Sequence, residues 1–149
     1  MKPAHQEMEK ERLDHFRCLE CNEIKPSRDW CTSCTATHFR KAFPTWSSGN
    51  AAIDYFIQNA QIHAWDNNLV LEWYPWKLFS DIKRIGQGGY GTVFHGKRKM
   101  GRIIKWDHRK NEWIRFKGDE DVTLKTIQEL SGDFLNEVIN RIRIIFDVN

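Results

Sequence analysis

Apolar residues recur at helical spacing at Ile53, Phe56, Ile57 and Ala60, which predicts a helix from about 50 to 64. The preceding SSGN stretch supplies its start, because Ser48 or Asn50 can cap the free amides of the first turn. WDNN at 65–68 ends that helix, and Pro75 within LVLEWYPWKLF marks a short turn or helix. From Ser80 to Lys99 the pattern changes to two strands around a group of glycines. RIIKW at 102–106 and EWIRF at 112–116 flank the polar DHRKN and predict a second hairpin. DVTLKTI at 121–127 is strand-like, whereas Phe134, Leu135, Val138 and Ile142 within 133–146 have helical spacing.

These elements predict an α+β chain in four stretches. Residues 1–17 are highly charged with few apolar positions, which predicts a frayed helix or disorder. Residues 18–46 hold every cysteine, with Trp30, Phe39, Phe43 and Trp46 interleaved. Residues 47–79 form a helical linker, and 80–149 are mostly antiparallel strand.

At 149 residues the chain has room for one ordinary domain or two small ones. Its 40% hydrophobic and 29% charged composition, with seven tryptophans, suits an ordered globular protein. A net charge of +3 does not by itself argue for nucleic acid or a membrane as partner. No apolar run reaches membrane-spanning length, and the charged opening MKPAHQE is not a signal-peptide core. An intracellular, cytoplasmic protein with no membrane contact is therefore expected. In that reducing compartment, clustered cysteines point to metal before disulfide.

The cysteines form two pairs, Cys18-x-x-Cys21 and Cys31-x-x-Cys34, separated by nine residues. Each pair presents two thiolates from one tight turn, and two such turns complete the tetrahedron that zinc prefers. Four cysteines close the coordination shell and leave no position for a substrate, so the expected zinc is structural. Free buried cysteines or two short-range disulfides are the alternatives. His38 reads as a packing residue or a neighbour of the site.

The glycines lie in IGQGGYGTV, residues 85–93, as Gly86-x-Gly88-x-x-Gly91. A dinucleotide-binding fingerprint opens a helix directly after its glycines, but here Thr92, Val93 and Phe94 read as strand. A Walker loop requires a lysine after its last glycine, where this chain has Thr92. What remains is a glycine-rich hairpin covering a triphosphate, with Val93 packing on adenine. The candidate ligand-binding residues are Ile85, Gly86, Gln87, Gly88, Gly89, Tyr90, Gly91, Thr92 and Val93. A glycine-rich hairpin without a ligand is the plainer alternative.

Between 97 and 117, Lys97, Arg98, Lys99, Arg102, Lys105, Arg109, Lys110, Arg115 and Lys117 interleave with Trp106, Trp113 and Phe116. Cations for phosphates and rings for bases are what a nucleic-acid surface requires. The favoured reading is a solvated hairpin inserted in a lobe, its alternate aromatics packing inward, and nucleic acid is disfavoured as a partner.

Together, IGQGGYGTV, VTLK at 122–125 and FLNEV at 134–138 resemble the start of a eukaryotic protein kinase. With WCTSC, HFRKAF, WSSGN, AAIDYFIQ and LEWYPW, the chain is similar over about residues 18–138 to a group of fungal kinases, expanded in mycorrhizal fungi. Members of that group carry a short cysteine-pair region before the kinase domain. The resemblance implies a partial kinase N-lobe at 80–149 and ATP as ligand. It further implies Lys125 on the α- and β-phosphates, and Glu137 as the ion-pair partner of Lys125. Serine/threonine transfer is implied by the same resemblance, with the protein substrate or signalling partner undefined. The aspartates that orient the acceptor and hold Mg2+ belong to a C-terminal lobe and have no counterpart here, so this chain alone is expected to transfer no phosphate. Asp133-Phe134-Leu135 and His108-Arg109-Lys110-Asn111 match the family's motifs only superficially. Lys105, twelve residues after Val93, competes with Lys125 on spacing. Lys125 is preferred because Glu137 follows it by twelve residues on an expected helix, which makes residues 97–120 an inserted hairpin.

Overall fold

The computed structural model describes residues 4–88, 91–126 and 145–147. Among these residues the helices are α1 (Ala4–Asp14), α2 (Thr32–Ala42) and α3 (Ala51–His63). The strands are β1 (Phe79–Gly88), β2 (Gly91–Arg98), β3 (Ile103–Asp107), β4 (Glu112–Arg115), β5 (Glu120–Thr126) and β6 (Ile145–Asp147). The chain forms two compact units, Met1–Val70 with Ile104–Ile114, and Leu71–Ile103 with Arg115–Asn149. Among the described residues no helix is long and apolar enough to cross a membrane.

In the first unit, α1 buries no residue, as its charged sequence requires. α2 buries Thr35, Ala36 and Phe39, α3 buries Ile53, Ile57 and Gln61, and the two helices pack together. The cap of α3 is Asn50, whose side-chain oxygen accepts from the amides of Ala52 at 2.9 Å and Ile53 at 3.2 Å. Ser48 serves differently, its amide and hydroxyl both donating to Asp54 Oδ1. Trp30, only 1% exposed, lies at the centre of this unit and donates from Nε1 to the carbonyl of Ala64 at 2.8 Å.

The tip of the β3–β4 hairpin belongs to the same unit. Trp113 stacks on Phe39 with ring centroids 4.6 Å apart and on Trp30 at 5.8 Å, while Trp106 stacks on His38 at 3.7 Å. These aromatics pack inward, onto the cysteine-bearing module. Residues 47–70 are likewise part of this unit, where the sequence predicts a linker. In both places, large apolar side chains distant in sequence find one another because that contact removes the most apolar surface from water.

The second unit is a sheet of order β1-β2-β5-β6. β1, β2 and β5 pair antiparallel, whereas β6 runs parallel to β5. Side chains alternate between its faces. Phe94, Gly96 and Arg98 of β2 lie opposite Leu124, Val122 and Glu120 of β5, and this face contains the buried Leu124 and Arg98. The other face carries Val93, His95 and Lys97 opposite Lys125, Thr123 and Asp121, all half-buried or exposed. Leu71, Tyr74 and Ile103 complete the buried set.

Among the described residues of this unit, several charged side chains have charged partners. Arg98 pairs with Glu120, which also binds Arg102, and the Arg98 guanidinium lies 4.1 Å from the Tyr74 ring centroid. Arg115 reaches Glu72 at 2.7 Å. Burial works against the charge on Glu120, but the Arg102 amide and the two guanidinium groups outweigh it and hold the carboxyl below its usual range. Burial raises the Tyr74 phenol, and the neighbouring Glu72 carboxylate raises it further.

One predicted element is corrected. The helix expected over 133–146 cannot extend to its end, because Ile145 and Phe146 lie in β6, paired with Leu124 and Lys125. A ladder of backbone bonds to β5 takes precedence there over an apolar spacing compatible with helix.

Candidate metal centre and glycine hairpin

The first cysteine pair sits on a tight knuckle. The Cys18 amide donates to the Glu23 carbonyl at 2.8 Å, and the Lys25 amide donates to Phe16 at 2.7 Å. The chain reverses through Asn22, which has φ of 62°, a left-handed conformation that asparagine tolerates better than most residues. The Glu20 amide points at Cys18 Sγ from 3.4 Å. The second pair sits at a helix start, where the sequence predicts a tight turn. Cys31 is the N-cap residue of α2 and Cys34 lies in its first turn, so both residues sit at the N-terminal end of that helix. Cys31 makes no side-chain capping bond, and Thr35 binds the Cys31 carbonyl instead.

All four sulfurs lie within 4.8 Å of one another. Cys18 Sγ is 3.7 Å from Cys34 Sγ, and Cys21 Sγ is 3.6 Å from Cys31 Sγ. A tetrahedral zinc with Zn–S of about 2.3 Å requires sulfur–sulfur edges of about 3.8 Å. The cluster therefore fits a metal ion such as zinc, and the separations are too long for disulfides, whose S–S bond is about 2.05 Å. Burial pushes the Cys34 thiol up, and so do the adjacent sulfurs; Cys31 is raised in the same way. For Cys18, burial is outweighed by the amides of Cys21 and Glu20, which leave it lowered.

Glu20, between the first two cysteines, was not singled out from the sequence. Its carboxylate accepts from His38 Nε2 at 2.9 Å and lies 3.5 Å from His108 Nδ1, which connects the knuckle, α2 and the β3–β4 turn. Burial opposes ionisation of Glu20, but the His38 bond and the nearby His108 hold its carboxyl below the usual range. The only advance signal was an acidic residue within the first Cys-x-x-Cys pair. His38 itself is not among the clustered ligands.

In the second unit, β1 and β2 form the glycine hairpin, with Gly86 opposite Val93, Gln87 opposite Thr92 and Gly88 opposite Gly91. Gly89 and Tyr90 lie outside the described residues. The glycines have different reasons to be there. A Cβ on Gly91 would lie 2.1 Å from the Thr126 carbonyl oxygen, so the close approach of β5 excludes any side chain at that position. A Cβ on Gly86 would meet nothing within 4 Å, so packing does not require a glycine there. β1 is irregular between Ser80 and Lys83 and between Arg84 and Gly86, and Ile85 is exposed beside the second irregularity.

Lys125 is on β5 with its Cα opposite Val93, so the two side chains leave the same face of the sheet. Lys105 is on β3 in the first unit, with its ammonium 3.5 Å from Asp29. Glu137 and Asp133-Phe134-Leu135 lie outside the described residues. His108-Arg109-Lys110-Asn111 forms the β3–β4 turn, in which Asp107 accepts from the amides of Arg109 and Lys110 and Asn111 has φ of 53°.

Compared with protein-family models, with curated proteins and with solved structures, the chain has no match.

Proposed function

We propose that this chain is an ATP-binding unit of protein-kinase type accompanied by a module held by structural zinc. The observation that carries the nucleotide reading is the register of Val93 against Lys125. It puts an apolar side chain suited to adenine and a cation suited to phosphate on one sheet face, beside the glycine hairpin. Gly86 supports it, because a glycine that packing does not require suits close approach of a phosphate to the backbone. Residues 85–93 then cover the nucleotide, Lys125 holds its α- and β-phosphates, and Glu137 pairs with that lysine, as the resemblance implies. Serine/threonine transfer and Mg2+ belong to the proposal only by that resemblance and would need the aspartates of a C-terminal lobe.

A nucleic-acid-binding role is less well supported. Trp106 and Trp113 are stacked within the first unit, while Arg98, Arg102, Lys105 and Arg115 have carboxylate partners. A stacking surface requires rings and cations that are not committed to internal contacts.

Calorimetric titration of the full chain with ATP tests the proposal, with thermal melting as a control for folding. Lys125→Met is expected to weaken binding about tenfold or more, the loss of one charge-assisted contact, while Lys105→Met leaves it unchanged. Equal affinity for wild type and Lys125→Met, or salt-sensitive RNA binding with no ATP binding, would overturn it.

A further inference from the structure

The four thiols differ in access. Cys21 is exposed and Cys34 intermediate, while Cys18 and Cys31 are buried. The 3.6 Å contact of Cys21 with Cys31 and the 3.7 Å contact of Cys18 with Cys34 each join one Cys-x-x-Cys motif to the other, within a cluster whose sulfurs all lie within 4.8 Å of one another. An accessible thiol beside a buried resolving thiol is the arrangement that redox-sensitive cysteines use.

We infer that Cys21 is a site of oxidative modification by hydrogen peroxide, resolved by Cys31, so that oxidation yields disulfides between the two motifs. The Cys21 thiolate attacks one peroxide oxygen and the O–O bond breaks. Sulfur loses two electrons to become a sulfenic acid, and the other oxygen leaves, with a proton, as water. The Cys31 thiolate then attacks the Cys21 sulfur from 3.6 Å away and displaces hydroxide, which takes a proton to form a second water. Two ligands are thereby lost, and Cys18 with Cys34 alone cannot complete a tetrahedral shell. A second peroxide oxidises that pair in the same way across its 3.7 Å contact. The product joins the knuckle at 16–25 covalently to the start of α2. The metal release rests on the zinc proposal, whereas the pairing of the thiols rests on the sulfur positions alone.

The test treats the full, zinc-loaded chain with hydrogen peroxide. Released zinc is followed with a chromogenic chelator, and disulfides are mapped by mass spectrometry after non-reducing digestion. Trypsin separates residues 18–28 from 29–40, each holding one complete Cys-x-x-Cys pair. Disulfides between the motifs therefore link these two peptides, and disulfides within a motif do not. Cleavage after Glu20 separates Cys18 from Cys21, and fragment ions distinguish Cys31 from Cys34. The expected result is linked peptides with Cys21–Cys31 forming first, one zinc released per chain, and both changes reversed by a thiol reductant with added zinc. Cys21→Ser is expected to slow the first oxidation about tenfold. Should that variant fail to fold, differential alkylation of wild type at substoichiometric peroxide gives the order directly, with Cys21 expected first. Disulfides confined within each motif, a terminal sulfinic acid on Cys21, or first modification at Cys34 would overturn the inference. A chain that binds no zinc before treatment speaks against the zinc proposal alone, since the pairing is still read from the same peptides.

Discussion

The two units solve the same stability problem by different means. The first has short helices, a knuckle and a stacked aromatic group of Trp30, Phe39, Trp106, Trp113 and His38, with four sulfurs gathered at one end of α2. The second depends on a backbone ladder and on matched charges, Arg98 with Glu120 and Arg115 with Glu72. A small module with little regular ladder requires an additional constraint, and four clustered sulfurs that could hold a metal ion offer one. A sheet satisfies its own backbone and tolerates buried charge when each group has a partner.

The largest expected effect separates the units by their dependence on metal. Cys34→Ser replaces a ligand thiolate with a hydroxyl, and zinc affinity should fall more than about a hundredfold, measured by competition with a chelator. Trp30→Ala removes the ring at the centre of the first unit and should destabilise it by about 3–5 kcal/mol, read from denaturant unfolding. Glu120→Gln tests the second unit. It leaves the buried Arg98 without its counter-charge and should cost about 3 kcal/mol, the lower end for a broken buried pair. Because the Glu120 carboxyl is lowered on folding, its contribution is present above the ordinary glutamate value of about 4.3 and is lost as pH falls through the lowered folded value. Acid unfolding curves should therefore be flatter for Glu120→Gln than for wild type below about pH 4.3. The smallest effect concerns Asn50→Ala, which removes the acceptor for two α3 amides and should cost about 1 kcal/mol in thermal melting.

How far the sequence was legible follows the same division. The cysteine spacing led directly to the cluster because each pair is local and zinc geometry restricts what two such pairs can do. Asn50, the α3 stripe and the strands around the glycines were legible for the same reason, since capping and periodicity act over a few residues. The placement of Trp106 and Trp113 was not, because their partners Trp30, His38 and Phe39 lie more than sixty positions earlier and contribute no local signal. The role of Glu20 was hidden similarly, since His38 and His108 meet it only through tertiary structure. Ile145 and Phe146 fitted a helical spacing, but pairing with β5, a contact about twenty residues away in sequence, decided their conformation.

Hydrogen exchange of the full chain with and without a strong zinc chelator tests the division of the molecule most directly. Chelation is expected to release the protected amides of residues 16–42 and of the 104–114 hairpin tip, while those of β1, β2 and β5 keep their protection. Equal loss of protection in both units, or no change in the first, would contradict the account.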